Sequence, residues 1–191
     1  MDKNLEYPLY ELTIDDALGV YAVALVKRPA MQQAWQVFAE DEKPLKFAVQ
    51  DEEQRKVLAV LVRADYPIYR IDPDGYEYYV YFSKDTVDTL VRRLFDNSFH
   101  NQINNEHDNA FRIDGVKLNQ VFLKNTAKGI SPVGFEMIEE GSAFAEYKIE
   151  DDDVWQAIRE GVWTGVSIEG YFNQHRAGGE MTIDDLLKQT N

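Results

Sequence analysis

The pattern of apolar residues predicts that strands make up most of this chain. Residues 18–26, LGVYAVALV, are almost continuously apolar, as in a strand covered on both faces. Residues 55–65, RKVLAVLVRAD, show the same pattern. Residues 66–83 hold two further strands around the segment DPDG, whose proline and glycine favour a tight turn. Weaker strand signals lie near residues 7–11, 100–106, 117–124 and 143–149, and a further strand is predicted around residues 165–169.

Helical periodicity appears in fewer places. After Ser83, a suitable N-cap, apolar residues recur at helical spacing through residues 84–97. A second helix is predicted after Asp151 or Asp152 and ends at Gly161. Residues 30–43 are interpreted as a helix or an irregular crossover, and the tail as a short helix with Thr182 and Asp185 at its start. The pattern predicts a sheet-dominated fold with two helices laid on it, either α+β or barrel-like.

Length and composition favour one globular domain with appendages. The 191 residues are 45% hydrophobic and 13% aromatic, which is enough to build a sizeable core. The charged stretch at 39–54 predicts an exposed connection. We therefore expect N-terminal strands and a connection in residues 1–45, a main domain in 46–175 and a tail in 176–191. Whether the first segment belongs to the main domain is open at this point.

Charge and cysteine content exclude several classes of function. The chain has 34 acidic and 20 basic residues, a net charge of −14, which disfavours nucleic acid and anionic membranes as partners and favours basic peptide segments. Neither a membrane span nor a secretory signal is expected, since no apolar run is long enough. The absence of cysteine removes thiol nucleophiles and disulfides, and it is consistent with a reducing cytosol.

Ser167 is the first candidate for chemistry. On a strand, Gly165, Ser167 and Glu169 would share one face, while Val166 and Ile168 point to the other. A face with a serine, a glycine and a carboxylate suits an open cleft better than a core. Glycines at 165 and 170 would also permit the close approach of another backbone. The alternative is a small polar residue that faces solvent.

Histidine is the usual base for a serine nucleophile, and the chain has three. His107 lies between Glu106 and Asp108 in the segment NNEHD, and a nearby carboxylate can orient an imidazole. His100 would point to the face opposite that of His107 if the strand were straight. His175 is the third histidine. A surface histidine without a catalytic task is the alternative in each case.

Other chemistries fit less well. The segment GVSIE has Glu169 where a nucleophile elbow needs its second glycine, which disfavours an α/β-hydrolase. The spacing of His100, His107 and Asp108 matches no zinc motif, and neither a phosphate loop nor a dinucleotide fingerprint is present. We expect no metal and no cofactor.

Five stretches occur in the order that is found in XkdF-like phage serine proteases, which the chain resembles from about residue 18 to residue 172. They are ALVKRPAM (24–31), YYVYFSKDTV (78–87), NNEHD (104–108), SPVGFEM (131–137) and DDDVWQAIREGVWTGVSIEGYF (151–172). The resemblance implies a prohead maturation protease, distantly related to the herpesvirus assemblins. It implies an assemblin-like small β-barrel with peripheral helices, in which residues 46–175 form the protease domain. Ser167 would be the nucleophile and His107 the general base.

The resemblance also implies partners and a place of action. The substrates would be the phage scaffold, the major capsid protein and the protease itself, cut inside the prohead in the host cytoplasm. Whether the protein is a homodimer is open. A non-catalytic, head-associated or scaffold-like protein that keeps the fold is the alternative.

The third catalytic member is less well defined. In related proteases it lies well after the serine, but this chain has only 24 residues beyond Ser167. Asp108 is the first candidate, and Arg112 and Arg176 are candidates for stabilising an oxyanion. The further candidates for the third member are Glu106, Glu169, His175, Glu180, Asp184 and Asp185.

Overall fold

Twelve strands and three helices make up the part of the chain that the structure, a computed structural model, describes: residues 7–15, 19–27, 46–96, 98, 102–177 and 183–188. The strands are β1 (Leu9–Thr13), β2 (Gly19–Val26), β3 (Ala48–Asp51), β4 (Lys56–Val62), β5 (Ile68–Ile71), β6 (Glu77–Tyr81), β7 (Ile103–Asn105), β8 (Asp108–Arg112), β9 (Val116–Leu123), β10 (Ala143–Ile149), β11 (Gly165–Tyr171) and β12 (Asn173–Arg176). The helices are α1 (Lys84–Asp96), α2 (Asp152–Arg159) and α3 (Ile183–Lys188), and Thr126–Lys128 form a 3₁₀ turn.

The strands form three four-stranded sheets. The first sheet has the order β12-β1-β6-β5, the second β3-β4-β10-β9 and the third β11-β2-β7-β8. The pairs β1–β6 and β2–β7 are parallel, and the others are antiparallel. The sheet-dominated fold is confirmed. The ladders of the described strands do not close into a ring, so the expected barrel is not confirmed.

One hydrophobic cluster joins all three sheets to α1 and α2. β4 is buried along nearly its whole length because it is an inner strand with both faces covered, as its continuous apolar sequence predicts. β2 is likewise an inner strand and is mostly buried. α1 turns Val87, Leu90 and Leu94 inward, which confirms the periodicity that predicted it. Since β1 and β2 pair with later strands, the N-terminal strands are built into the sheets.

The two predicted helix starts are confirmed. The Ser83 hydroxyl accepts a hydrogen bond from the Thr86 N–H at 3.4 Å, and the Asp151 carboxylate accepts one from the Val154 N–H at 2.9 Å. Gly161 follows α2 with φ +74°. Residues 30–43 and Thr182 lie outside the described residues. None of the described helices is long and apolar enough to cross a membrane.

Strands β3, β8 and β12 were not predicted. All three are short and polar, and β3 lies inside the stretch that was interpreted as an exposed connection. Each is held by a ladder to one neighbour: β3 to β4, β8 to β7 and β12 to β1. Their strand conformation therefore depends on pairing with that neighbour. Their own short, polar sequences did not indicate it.

A buried ion pair fixes the loop that connects β9 to β10. The Arg63 guanidinium donates two hydrogen bonds to the Glu139 carboxylate, one at 2.7 Å from Nε, and both side chains are less than 5% exposed. The Arg63 guanidinium also lies 3.3 Å above the Tyr66 ring. Nearby, the buried Lys124 ammonium donates to the carbonyls of Glu136 and Ile138. The loop is thus anchored from inside the protein.

We expect Glu139→Gln to lower the free energy of unfolding by about 3–5 kcal/mol, because it leaves the buried Arg63 charge without its counter-ion. Asp88→Asn is the matched control, since it breaks the exposed Arg92–Asp88 pair, which is 2.6 Å long. That pair is one helical turn apart and is expected to contribute about 0.5 kcal/mol. Urea unfolding of both variants measures the difference. Equal losses would contradict the stabilising role of the buried pair.

Candidate active site

Strand β11 places Ser167 at one edge of the third sheet. In the ladder Ser167 lies opposite Ala24 of β2, and Ala24 lies opposite Asn104 of β7. Residues directly opposite each other point to the same face of a sheet. The side chains of Ser167 and Asn104 therefore lie on the same face. Val166 and Ile168 point to the other face, where they pack against the core, as the alternation predicted.

His107 lies at the tip of the hairpin between β7 and β8, not on a strand. Asn105 is opposite Asp108, which leaves Glu106 and His107 as a two-residue turn with φ values of +49° and +66°. The Glu106 N–H donates to the Leu25 carbonyl at 3.1 Å, and the Glu106 carboxylate accepts from the Lys27 N–H at 2.8 Å. The turn is therefore fastened to the end of β2.

The carboxylate of Glu169 contacts the imidazole. His107 Nδ1 lies 3.4 Å from Glu169 Oε1. Glu169 follows Ser167 by two residues on β11, so the two side chains leave the same face about 7 Å apart along the strand. His107 thus contacts a carboxylate on the sheet face that also carries Ser167, although 60 residues separate Ser167 from His107 in the chain. No hydrogen bond joins the Ser167 hydroxyl to the His107 ring.

Two further side chains hold the Glu169 carboxylate. The Asn104 amide donates to Oε1, and the Tyr21 hydroxyl donates to Oε2 at 3.4 Å. Neither residue was predicted. For Asn104, the alternation of side chains along β7 could have indicated its position, because it places Asn104 on the same face as Ser167. Because Glu169 is 92% buried, these contacts compensate for part of its lost hydration.

This arrangement suits proton transfer. A carboxylate at Nδ1 orients an imidazole and leaves Nε2 as the nitrogen that can accept a proton from a hydroxyl. The His107 side chain is 44% exposed, which gives it access to a substrate, whereas Ser167 is only 7% exposed. The prediction that Ser167 faces an open cleft is therefore wrong, because Ser167 is buried.

Of the other candidates, Arg112 lies on the sheet face of Ser167, and the rest lie elsewhere. Asp108 begins β8 and is exposed, and Glu106 points to the Lys27 backbone. His175 and Arg176 are exposed on β12, which belongs to the first sheet. Arg112 is exposed on β8 and lies opposite Asn104. Asp184 and Asp185 belong to α3, whereas His100 and Glu180 lie outside the described residues.

A cavity of about 360 Å³ reaches Ser167 from the core side of β11. It lies between β11, β4 and the first sheet, so it is on the other face of β11 from His107 and Glu169. Gly170 contributes to its wall and is closely approached: a Cβ there would lie 2.6 Å from the Gly19 carbonyl oxygen. The expected close approach of a backbone at Gly170 is thus made by β2 itself.

Clusters of metal-ligating side chains are absent from the described part of the chain. No three histidine, aspartate or glutamate side chains converge there in a way that could hold a metal ion. The contact between His107 and Glu169 involves one imidazole and one carboxylate only.

Hydrolases with a serine nucleophile use a serine, an imidazole and a carboxylate that orients the imidazole. Here one carboxylate contacts one imidazole on the sheet face that also carries a serine. The chain belongs to the family described as "Putative phage serine protease XkdF", whose model matches residues 46–175. The resemblance seen in the sequence is confirmed, and the family description suggests a hydrolase. Comparisons with curated proteins and with solved structures give no match.

Proposed function

We propose that the protein is a serine endopeptidase in which Ser167 is the nucleophile, His107 the general base and Glu169 the carboxylate that orients His107. The contact between His107 Nδ1 and Glu169 Oε1, on the sheet face that also carries Ser167, is the observation that supports this assignment most directly. Membership in a family described as a phage serine protease supports the reaction class.

The reaction would follow from these positions. The Ser167 hydroxyl attacks the scissile carbonyl carbon while its proton passes to His107 Nε2. The Glu169 carboxylate stabilises the imidazolium that forms. His107 then donates the proton to the leaving amine, which breaks the peptide bond and leaves an acyl group on Ser167. Water, deprotonated by His107, releases the acid and restores the serine.

The surroundings of the three residues support preorganisation. Asn104 and Tyr21 hold the carboxylate, and Lys27 and Leu25 hold the turn that carries the imidazole. In addition, the Trp163 indole N–H donates to the Asn105 side-chain oxygen at 3.1 Å, which links the hairpin to the segment just before β11. Side chains fixed in this way need little reorganisation during reaction.

The proposed substrates are the phage scaffold, the major capsid protein and the protease itself, cut inside the prohead in the host cytoplasm. The family description supports a phage setting. The net charge of −14 favours basic protein segments over nucleic acid or an anionic membrane as partners. A homodimer is compatible with this proposal but is not required by it.

Co-expression tests the proposal. The parent and Ser167→Ala are each produced with the scaffold and capsid proteins of the same phage, and the products are mapped by mass spectrometry. We expect new termini in both head proteins with the parent and intact chains with the variant. Identical product patterns in the two cultures would contradict the assignment of the protein as a protease.

The burial of Ser167 favours a second candidate function, a non-catalytic head-associated or scaffold-like protein that keeps the fold. A fluorophosphonate probe separates the two candidates, because it reacts only with an activated serine that it can reach. Labelling of the folded parent at Ser167 supports the enzyme. A folded, unlabelled protein that still enters the prohead supports the structural role.

A further inference from the structure

The cavity of about 360 Å³ beside β11 has a mouth on the protein surface. Tyr171 and Gln174 border it and are exposed, Tyr171 by 67%. Arg70 and Tyr78, also in its wall, are half-buried. Much of the remaining wall is formed by buried apolar side chains, namely Leu12, Leu61, Val62, Val80, Phe82 and Val166. A small molecule can therefore enter from solvent and reach an apolar interior.

The volume and the lining of the cavity define the kind of molecule that fits it. A water molecule occupies about 30 Å³ in the liquid, so the cavity has room for about 12 groups of that size. An unbranched chain of about eight to ten carbons with a polar end has this number of non-hydrogen atoms. Moving such a chain from water to apolar walls is favourable because of the hydrophobic effect.

The cavity also has one charged side chain, that of Arg70 on β5. Tyr78 of β6 lies opposite Arg70 in the ladder, so the two side chains leave the same face of the first sheet. A guanidinium and a phenol hydroxyl are both hydrogen-bond donors that suit a carboxylate. No aspartate or glutamate lines the cavity. Its wall therefore offers donors for an anion but no acid of its own.

Arg70 has no counter-ion among the described residues. Its guanidinium donates to the Tyr69 carbonyl at 3.1 Å, and no carboxylate of the described residues forms an ion pair with it. The acids that are nearby in sequence have other partners. The Glu77 carboxylate accepts from the Tyr69 hydroxyl, and the Asp72 carboxylate accepts from the Tyr76 N–H at 2.8 Å.

Holding this charge in the cavity wall has an energetic cost. Burial lowers the pKa of the Arg70 guanidinium below its ordinary value, and Tyr78 acts in the opposite direction to a smaller extent. Arg55, Arg63 and Arg92, by contrast, each contact an acidic side chain. A carboxylate supplied by a ligand would offset the cost at Arg70.

We propose that this cavity binds an aliphatic carboxylate of about eight to ten carbons, with the carboxylate on Arg70 and Tyr78 and the chain among the apolar side chains. The inference goes beyond the proposed endopeptidase function and does not depend on it. The net charge of −14 makes non-specific attraction of an anion unfavourable. A preference for an acid over a neutral molecule of the same shape would therefore report a local cation.

Isothermal titration calorimetry of the full-length parent tests the proposal. The ligands are butanoate, hexanoate, octanoate, decanoate and dodecanoate, each below its micelle concentration. We expect the affinity to rise about fourfold with each added methylene until the cavity is filled, and then to stop rising. Octanamide has the shape of octanoate without its charge. We expect octanoate to bind about 10- to 100-fold more tightly than octanamide.

Variants in the wall identify the groups that hold the carboxylate. Arg70→Gln is expected to lower the affinity for octanoate by about 10- to 100-fold and to leave that for octanamide unchanged. Tyr78→Phe, which removes a neutral donor, should lower it by about 2- to 10-fold. Arg92→Gln, which changes an exposed arginine on α1, is the control that keeps the parent affinity. Circular dichroism and thermal unfolding check that each variant is folded.

A photoreactive octanoate with a diazirine at the end of its chain locates the site in the parent, without any substitution. After irradiation, mass spectrometry maps the labelled residues. We expect labelling in β4, β6 or β11, at the apolar wall residues Leu61, Val62, Val80 and Val166. An excess of unlabelled octanoate should suppress it. This measurement decides the location even if Arg70→Gln does not fold.

Several results would overturn the inference. They are the absence of octanoate binding to the parent, equal affinities for octanoate and octanamide, and an octanoate affinity that is unchanged in folded Arg70→Gln. Labelling confined to residues outside the cavity would overturn it as well. Inorganic phosphate that displaces octanoate at similar concentrations would show a simple anion site, in which the apolar wall has no role.

Discussion

Replacing Ser167 by alanine is expected to lower peptide-bond cleavage by about 10⁶-fold, the loss seen when a serine protease loses its nucleophile. The alanine has no oxygen to form the acyl-enzyme, so His107 and Glu169 have no proton transfer to assist. Truncating one buried hydroxyl on β11 should leave the fold intact. The measurement is kcat/KM on a peptide from a mapped cleavage site, followed by labelling with a fluorophosphonate probe.

Ser131→Ala is the control for this experiment, because Ser131 is exposed in the loop between β9 and β10. It should retain the parent rate and the parent labelling. A Ser167→Ala protein that keeps more than about a tenth of the parent rate would exclude Ser167 as the nucleophile, since the expected loss is several orders of magnitude larger.

Replacing Glu169 by glutamine is expected to lower kcat by about 10⁴-fold, as for the loss of the carboxylate in a serine protease triad. The glutamine side chain keeps the shape but loses the charge that stabilises the imidazolium. It can also present an N–H to His107 Nδ1 and so favour the wrong tautomer. KM should change little, because Glu169 has no direct role in holding the peptide. A merely structural role would instead lower the thermal stability and leave kcat of the folded fraction unchanged.

Asp108→Asn and Glu106→Gln are the controls, because both carboxylates are adjacent to His107 in sequence. The Glu106 carboxylate is engaged with the Lys27 N–H, and Asp108 begins β8. We expect losses below about tenfold from either. If Asp108→Asn gives the large loss and Glu169→Gln does not, Asp108 is the third member and the observed contact with Glu169 is incidental to catalysis.

Patterns that depend on local sequence predicted most of the fold. β2 and β4 have continuous apolar sequences because they are inner strands, and α1 and α2 have both periodicity and caps. The ladders between distant strands were not predictable in this way. The parallel pairs β1–β6 and β2–β7 join segments about 70 to 80 residues apart, and no local pattern encodes such a pairing. For the same reason the sequence did not distinguish three open sheets from a barrel.

The candidate site was predictable only in part. Alternation along residues 165–169 predicts Ser167 and Glu169 on one face, and the structure confirms this. It did not indicate that Glu169 would contact His107, because that depends on a left-handed turn at two non-glycine residues.

The position of β2 determines which fragment of the chain can fold with both Ser167 and His107 in place. The family model begins at residue 46, but β2 ends at Val26 and lies between the strand of Ser167 and the hairpin of His107. A recombinant fragment trimmed to the matched span would lose the segment through which these two halves are joined in the described sheet. The inactivity of such a fragment would then result from the loss of β2. It would not show that Ser167 and His107 lack a catalytic role. A proteolytic cut before residue 46 that released this segment would, by the same reasoning, abolish the proposed activity.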